Sequence, residues 1–464
     1  MKKIIFLIGG LLLSSLAINA QVISNFDGAV LFSDEDNNGT ARYNAMSGAF
    51  GALGGDLSAT DINPAGLSVF NHTEAAVTLG LRNTDISTSF YGTRTANNNS
   101  YMNMTQAGAV LVFNNPLSLN WTKFALGINY SVAKDYENDY NVNGNSGIAN
   151  FIIGPSGTSD LSLDPYLNYD DDTTNDIFYD NVSGQFFGNY TDGQNEKTTI
   201  SFAAQYNDKF HIGLGIVTHR LEYYQKALFE HSSNDGNNNL LDASFQQELK
   251  TYGQGAALNI GIIVKPTQEL RLGFAFQTPT WYNLTEEFTE DLEIKVSNNS
   301  NIYREPENTS INVFEYDIVT PAKATASIAY LFGKEGLISL DYTFKNYTKT
   351  KLKPSSEFVD ANNLVSTELQ NTSELRLGAE WRVSKIVSLR GGYYYKQSPY
   401  SAAIDSDHVK GFSLGTGFKF GNTKLDLAYQ KSSNTGVYGF VSDLNAAELD
   451  INTGKVTATL VIGL

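Results

Sequence analysis

The chain has 464 residues, 12% of them aromatic, with 40 glycines, only 10 prolines, no cysteine and a formal net charge of −17. The acidic balance excludes a nucleic-acid binder, which needs a basic surface to release counterions. The lack of cysteine excludes disulfides and a lipid-modified N-terminal cysteine.

In chain order, Lys2 and Lys3 precede an apolar run from Ile4 to Leu13, and a short polar stretch then ends at Ile18-Asn19-Ala20. Residues 1–20 therefore read as a cleaved signal peptide. The run is too short to span a bilayer, and nothing later resembles the ~20 apolar residues of a membrane helix. Residues 21–70 precede the first clear strand. Within them Gly48, Ala49, Gly51, Ala52, Gly54 and Gly55 lead to Asn63-Pro64-Ala65-Gly66, a turn sequence. Small side chains let backbone pack closely against a surrounding wall, which suits a plug inside a barrel.

Residues 71–464 carry strand periodicity. Leu270, Leu272, Phe274 and Phe276 alternate with Arg271, Gly273, Ala275 and Gln277; Leu375, Leu377, Ala379 and Trp381 alternate with Arg376, Gly378, Glu380 and Arg382; Val456, Ala458, Leu460 and Ile462 alternate with Thr457, Thr459, Val461 and Gly463. About fourteen such segments occur, each ~10 residues, the length that crosses an outer membrane at ~45° tilt. They begin near Glu74, Met104, Thr122, Thr198, Phe210, Thr251, Glu269, Ala322, Gly336, Thr372, Lys385, Val409, Asn422 and Lys455. Short turns such as Asn207-Asp208-Lys209 and Gly333-Lys334-Glu335 alternate with long polar connections such as Lys134 to Lys197, Tyr223 to Lys250 and Pro279 to Pro321. One side of the barrel then carries tight turns and the other elaborate loops, as in bacterial outer-membrane barrels. The expected fold is all-β, a transmembrane antiparallel barrel of about fourteen strands with an N-terminal hatch. An even strand number puts both termini on the short-turn side, so residues 21–70 lie below the barrel or enter it.

A polar lumen is expected from the charged faces, with Arg271, Asp341, Lys345, Arg376, Glu380, Arg382, Arg390 and Asp426 as candidate liners that must pair or be hydrated. Gly127 is a candidate strand kink. Phe151-Ile152-Ile153, isolated in a polar connection, is a candidate hydrophobic capture site. Asp34-x-Asp36-x-Asn38-Gly39 and Asp139-x-Asn141-x-Asn143-Gly144 match only the front half of a calcium loop, because Ala45 and Asn150 stand where a bidentate Glu belongs. No resident metal or cofactor is expected. The five histidines, His72, His211, His219, His231 and His408, are scattered, and no Gly-x-Ser-x-Gly turn flanks them. That disfavours a barrel enzyme such as a lipid hydrolase, while a structural or adhesive barrel would leave the plug-like segment unexplained.

The segment Met46-Ser47-Gly48-Ala49-Phe50, then Asp56, then Asn63-Pro64-Ala65-Gly66 resembles the hatch of the FadL/TodX-type outer-membrane transporters of long-chain fatty acids and other hydrophobic compounds. Glu374 to Trp381, Ser388 to Tyr393 with Ser398-Pro399, and Gly411 to Gly415 with Leu425 to Tyr429 resemble the same family in the same order. Ser47 and the terminal Leu464, where an aromatic is usual, depart from its pattern. The resemblance implies a monomeric outer-membrane channel, in contact with membrane lipid, that takes hydrophobic small molecules from extracellular loops. It implies release through a gap in the wall beside the hatch, with Asn63, Pro64, Ala65 and Gly66 as the gate.

Overall fold

The computed structural model describes residues 22–115, 120–148, 181–237, 239–298, 301–308, 310–439 and 444–464. The expected signal peptide and Phe151-Ile152-Ile153 lie outside the described residues. Fourteen antiparallel strands close a ring: β1 (Glu74–Phe90), β2 (Thr93–Asn114), β3 (Trp121–Asp135), β4 (Asn181–Tyr206), β5 (Phe210–Asn234), β6 (Leu240–Val264), β7 (Leu270–Gln277), β8 (Lys323–Phe332), β9 (Gly336–Asn346), β10 (Asn371–Arg382), β11 (Val387–Lys396), β12 (Val409–Phe420), β13 (Thr423–Tyr438) and β14 (Ala447–Gly463). Each pairs with the next, and β14 returns to β1 from Glu74↔Gly463 to Ser89↔Glu448, which closes the ring.

Alternation sets which face is which. Along β7 and β10 it is the apolar residues that are exposed: Leu272, Phe274, Phe276, Leu375, Leu377 and Trp381. At the alternate positions Glu380 of β10 is 4% exposed, and Asp341 of the neighbouring β9 only 1%. A water-soluble sandwich would have the reverse arrangement. This inside-out pattern fits a wall whose outer solvent is lipid. No helix among the described residues is long and apolar enough to cross a membrane, which says nothing of strands.

The tight turns fall where expected. Asn207 and Asp208 both take φ of 54°, and Gly333 and Gly421 take positive φ, the left-handed conformation that two-residue hairpins require. The opposite side differs from the expectation. The polar stretches assigned to loops are largely strand: residues 93–103 pair with β1, and β4 to β6 run as one ladder from Asn181↔Asn234 and Asn234↔Leu240 down to the tight turns. At 25 or 26 residues, these strands are more than twice the ~10 residues a membrane crossing needs. Their inner face keeps its period of two, for Leu221, Tyr223, Ala227, Phe229 and His231 are buried in turn. Only the outer face has turned polar, with Arg220 and Glu222 paired on it. Above the bilayer that face meets water, so the apolar signal stops while the ladder continues. Among the described residues five further strands, 138–144, 281–298, 301–308, 312–319 and 351–353, extend the sheet on this side without joining the ring.

The outward row Ile128, Ile200, Ile216 and Leu258 runs across four paired strands, each residue at least 44% exposed. Ile216→Lys is expected to cost about 2–4 kcal/mol at bilayer mid-depth, read as a lower urea midpoint for the barrel folded in lipid vesicles; Glu222→Lys, above the apolar band, is expected to cost far less.

Candidate functional site: the N-terminal segment and the wall

Residues 22–70 are built from short, well-capped pieces. Ser24 opens α1 (Asn25–Phe32) by accepting a bond from the Asp27 amide at 3.1 Å, and Thr40 opens α2 (Ala41–Ala45) by accepting from the Tyr43 amide at 3.1 Å. Asn63-Pro64-Ala65-Gly66, expected as a turn, starts a 3₁₀ helix (Pro64–Val69). The Asn63 side chain accepts from the Ala65 amide at 3.1 Å, and Pro64 stands in the first turn, where its missing N–H costs nothing. The Asn63 amide also donates to Gly51 O at 2.7 Å and to Ile262 O of β6 at 3.1 Å, tying two parts of the segment to the wall.

The wall is thinned where this turn seats. A Cβ placed on Gly213 of β5 would stand 2.3 Å from the Ala65 nitrogen, and one on Gly261 of β6 1.9 Å from Asn63 Oδ1. These glycines face each other in register. Sequence reasoning noticed the small residues of the segment and missed their counterparts on the strands; the available signal was glycine recurring at inward phase. Gly127 belongs to the same group. It keeps continuous pairing with Val110 and Ser201, and the ladder shifts of β3 fall elsewhere, at Trp121/Lys123 and Val132/Lys134. A Cβ on Gly127 would stand 2.6 Å from Leu67 Cδ1, so the glycine admits Leu67 to the wall.

Of the eight predicted lumen residues, Arg382 is exposed, 53% at its side chain, and Lys345 is half-buried with its ammonium over the Tyr347 ring; the other six point inward and meet the segment or one another. Arg271 donates to Leu53 O at 2.7 Å, and Asp341 accepts from the Gly51 amide at 2.8 Å. Arg376 pairs with Glu374 and reaches the Tyr43 hydroxyl at 3.4 Å. Glu380 is held between Arg42 of α2 at 2.8 Å and Arg390 at 2.7 Å, and Arg390 goes on to Asp426 at 2.5 Å. This buried run of alternating charge, Arg42–Glu380–Arg390–Asp426, joins α2 to β10, β11 and β13.

A second charged layer was not foreseen. The loop after α1 carries Asp34, Glu35 and Asp36, and wall cations converge on it. Lys134 of β3 lies 2.9 Å from Asp34 and 2.8 Å from Asp36; Lys323 of β8 and Lys197 of β4 lie 2.8 and 3.2 Å from Glu35; Lys396 of β11 bonds Asp34; Arg82 of β1 stands 4.0 Å from Asp36. Lys455 of β14 bonds the amide oxygen of Asn38. Burial opposes charge on all three acids, but the lysines outweigh it and hold Asp34, Glu35 and Asp36 below the usual carboxylate range. The half calcium motif is thus met by ammonium groups, and among the described residues no acidic or histidine cluster is arranged for a metal.

Two features adjoin this layer. One is a cavity of about 440 Å³ bordered by Asp36, Asn38, Arg82, Tyr101, Lys396 and Lys455. The other is a seam: the β2–β3 ladder ends at Gln106↔Ser131, and above it asparagine side chains replace backbone pairing. Asn103 donates to Asp135 at 2.8 Å, Asn99 to Asp139 O at 2.7 Å, and Asn97 exchanges bonds with the Asn141 backbone at 3.1 and 3.3 Å. Arg82, Tyr101, Asn103 and Asp135 border both seam and cavity. Beside the cavity, Phe32 of α1 is packed edge-on against Tyr136 and Tyr223, with centroids 6.0 and 5.6 Å away, inside an apolar cluster drawn from strands around the ring.

Residues 161–453 match the family described as outer membrane protein transport protein (OMPP1/FadL/TodX). No curated protein matches the sequence. Among solved structures, a FadL homologue of Pseudomonas aeruginosa aligns at 15% identity and TM-score 0.60, covering 93% of this chain and 99% of that one. The monoaromatic hydrocarbon channel CymD aligns at 14% and 0.55, covering 92% and 98%; the toluene transporter TodX of P. putida aligns at 14% and 0.54, covering 92% and 99%. At these identities the likeness concerns the fold.

Removing the shared carboxylate of the lower network leaves two buried guanidinium groups facing each other. Glu380→Leu is expected to destabilise the barrel by about 3–5 kcal/mol, measured by urea unfolding; a loss under 1 kcal/mol would mean that water compensates these charges instead.

Proposed function

Since the chain belongs to the OMPP1/FadL/TodX family of outer membrane transport proteins, we propose that it passes hydrophobic small molecules, long-chain fatty acids among them, from the cell exterior into the membrane, with residues 21–70 as a hatch. The family consists of outer-membrane transport proteins, which sets the barrel-enzyme reading aside. Solved relatives bear the names of toluene and monoaromatic hydrocarbon transporters, in keeping with a greasy cargo.

The observation that carries the release route is the seam beside the cavity. A fatty chain gains ~0.8 kcal/mol per methylene taken out of water, so crossing the charge run Arg42–Glu380–Arg390–Asp426 offers it nothing. Moving sideways at the foot of the seam, beside the outward-facing Met102 and Met104, offers it lipid. The asparagine bridges above Gln106↔Ser131 are the weakest joint on that side, since side-chain bonds to a strand part more readily than a continuous ladder. Asn63, Pro64, Ala65 and Gly66, seated on Gly213 and Gly261, hold the floor of this exit through Leu67 beside Gly127. Transport is then diffusion between binding sites, and needs no nucleotide.

Uptake of radiolabelled oleate and toluene by cells with and without the chain tests the reading. Chain-dependent uptake of at least one is expected, and Asn97→Ala/Asn99→Ala is expected to raise its rate severalfold by loosening the seam. Equal uptake by both kinds of cell would refute the transport reading; an unchanged rate in the double variant would place the exit elsewhere.

A further inference from the structure

We propose that Lys349, Lys351 and Lys353, on the outside of the barrel above its lipid-facing band, form a surface site for the phosphate groups of an anionic glycolipid in the outer leaflet. The inference rests on the outer-membrane placement of the barrel and is independent of what passes through it.

The local sequence is the first sign. Residues 342–356 hold four lysines, Lys345, Lys349, Lys351 and Lys353, and no acid, in a chain whose formal charge is −17. Lys345 is half-buried with its ammonium over the Tyr347 ring, and the other three are exposed. Several exposed cations elsewhere above the apolar band are answered on the surface: Lys226 by Glu248 at 3.6 Å, Lys250 by Glu287 at 3.9 Å, Arg220 by Glu222 at 2.6 Å and Lys410 by Asp405 at 2.6 Å. Among the described residues Lys349, Lys351 and Lys353 form no such pair. Asp317 stands opposite Lys353 in register, but its carboxylate accepts from the Asn283 side chain at 3.0 Å. An anion from outside the chain is what this surface lacks.

Height on the wall says which anion. β9 climbs away from the tight turn at Gly333-Lys334-Glu335 with Tyr342 and Phe344 facing lipid. The chain then makes the 3₁₀ turn Tyr347–Lys349 and continues upward as the strand 351–353, where Lys351 pairs with Val319 and Lys353 with Asp317. On its other side Val319 pairs with Trp281, which is exposed on the outer face. Aromatic residues of this kind mark the level at which acyl chains give way to head groups. The lysines therefore start within a few residues of the last lipid-facing aromatic of β9, at the depth where the phosphates of a glycolipid lie.

Their presentation is fixed from behind. Tyr347, Thr350 and Leu352, which alternate with or flank the lysines, are buried. The Leu352 amide donates to the Asn362 side chain at 2.9 Å, and that side chain donates back to Leu352 O at 2.9 Å, which clamps the strand to the helix Val359–Glu368. Strand alternation then sets Lys351 and Lys353 on one outward face, about 7 Å apart, with Lys349 just before them. A lysine stem lies along apolar wall while its ammonium reaches the polar layer. As point charges on flexible stems, the three follow a phosphate without requiring one fixed angle of approach.

Native mass spectrometry of the full chain in neutral detergent tests the site, with bisphosphorylated lipid A, its dephosphorylated form and phosphatidylglycerol as probes. Bisphosphorylated lipid A is expected to bind roughly tenfold tighter than either of the others. K349Q/K351Q/K353Q is expected to abolish that preference and to leave the dephosphorylated form unchanged, whereas K334Q/K385Q, which removes two exposed lysines from the tight-turn side, is expected to alter neither. The lysines are exposed and unpaired, so the triple variant strands no buried charge, and its heat-dependent shift on a denaturing gel verifies that the barrel has closed. Lipid A bound alike with and without its phosphates, phosphatidylglycerol bound as tightly as lipid A, or a triple variant that keeps the preference would overturn the glycolipid site. None of these results bears on the transport reading.

Discussion

Burying a carboxylate, ammonium or guanidinium without a partner costs several kcal/mol, and a closed strand ring that turns its apolar face to lipid must turn its charged face inward. In this protein the inward charges are numerous, and the N-terminal segment supplies much of their compensation. Arg42 answers Glu380, the Gly51 amide answers Asp341, Leu53 O answers Arg271, and the acidic loop answers lysines from across the ring. Ring and segment are therefore one electrostatic unit. The small residues on both sides of the contact, Gly51 and Ala65 facing Gly273 and Gly213, follow from the same need, since backbone donors and acceptors reach a wall only where no side chain holds them away.

The two charged layers differ in kind. In the lower one, arginines and carboxylates alternate in a run that ties α2 to three strands, and each group has a directed partner. Arginine's planar fork suits such fixed pairing. In the upper layer the cations are chiefly lysines, point charges on flexible stems, and their acids sit on a loop. The first arrangement is the more rigid; the second couples the wall strands to a loop through flexible side chains.

Most of the ring was legible from residues alone because its outer face is apolar over the bilayer, so strands such as Leu270 to Gln277 announce themselves with a period of two. Arg271, Asp341, Arg376, Glu380, Arg390 and Asp426 were legible for the same reason, each standing at the opposite phase of a greasy strand, while Arg382, at that phase too, lies past the buried part of β10 and is exposed. The tall strands above the membrane were not legible, because the outer face of residues 181–197 or 223–250 meets water while buried polar residues such as Gln225, His231 and Ser233 interrupt the apolar inner one, blurring the contrast that periodicity needs. Nor was the upper layer. Asp34 to Asp36 looked like half of a calcium loop, and their lysine partners lie about 100 to 360 residues away in the chain, a distance no local pattern spans. Asn63-Pro64 was ambiguous in itself, since the same pair closes a turn or caps a short helix.

If the lower part of residues 21–70 is a fixed floor past which ligand moves sideways, one tether tests this directly. Ser47 Oγ of the segment lies 2.8 Å from Ser413 Oγ of β12, in a chain with no cysteine. In the S47C/S413C variant, oxidation should lock segment to wall, and the ratio of ligand uptake by oxidised and reduced protein is the decisive quantity. A ratio near one, with the crosslink verified by mass, is the predicted result. Loss of uptake on oxidation and its return on reduction would show that the floor itself must move, contradicting the lateral route.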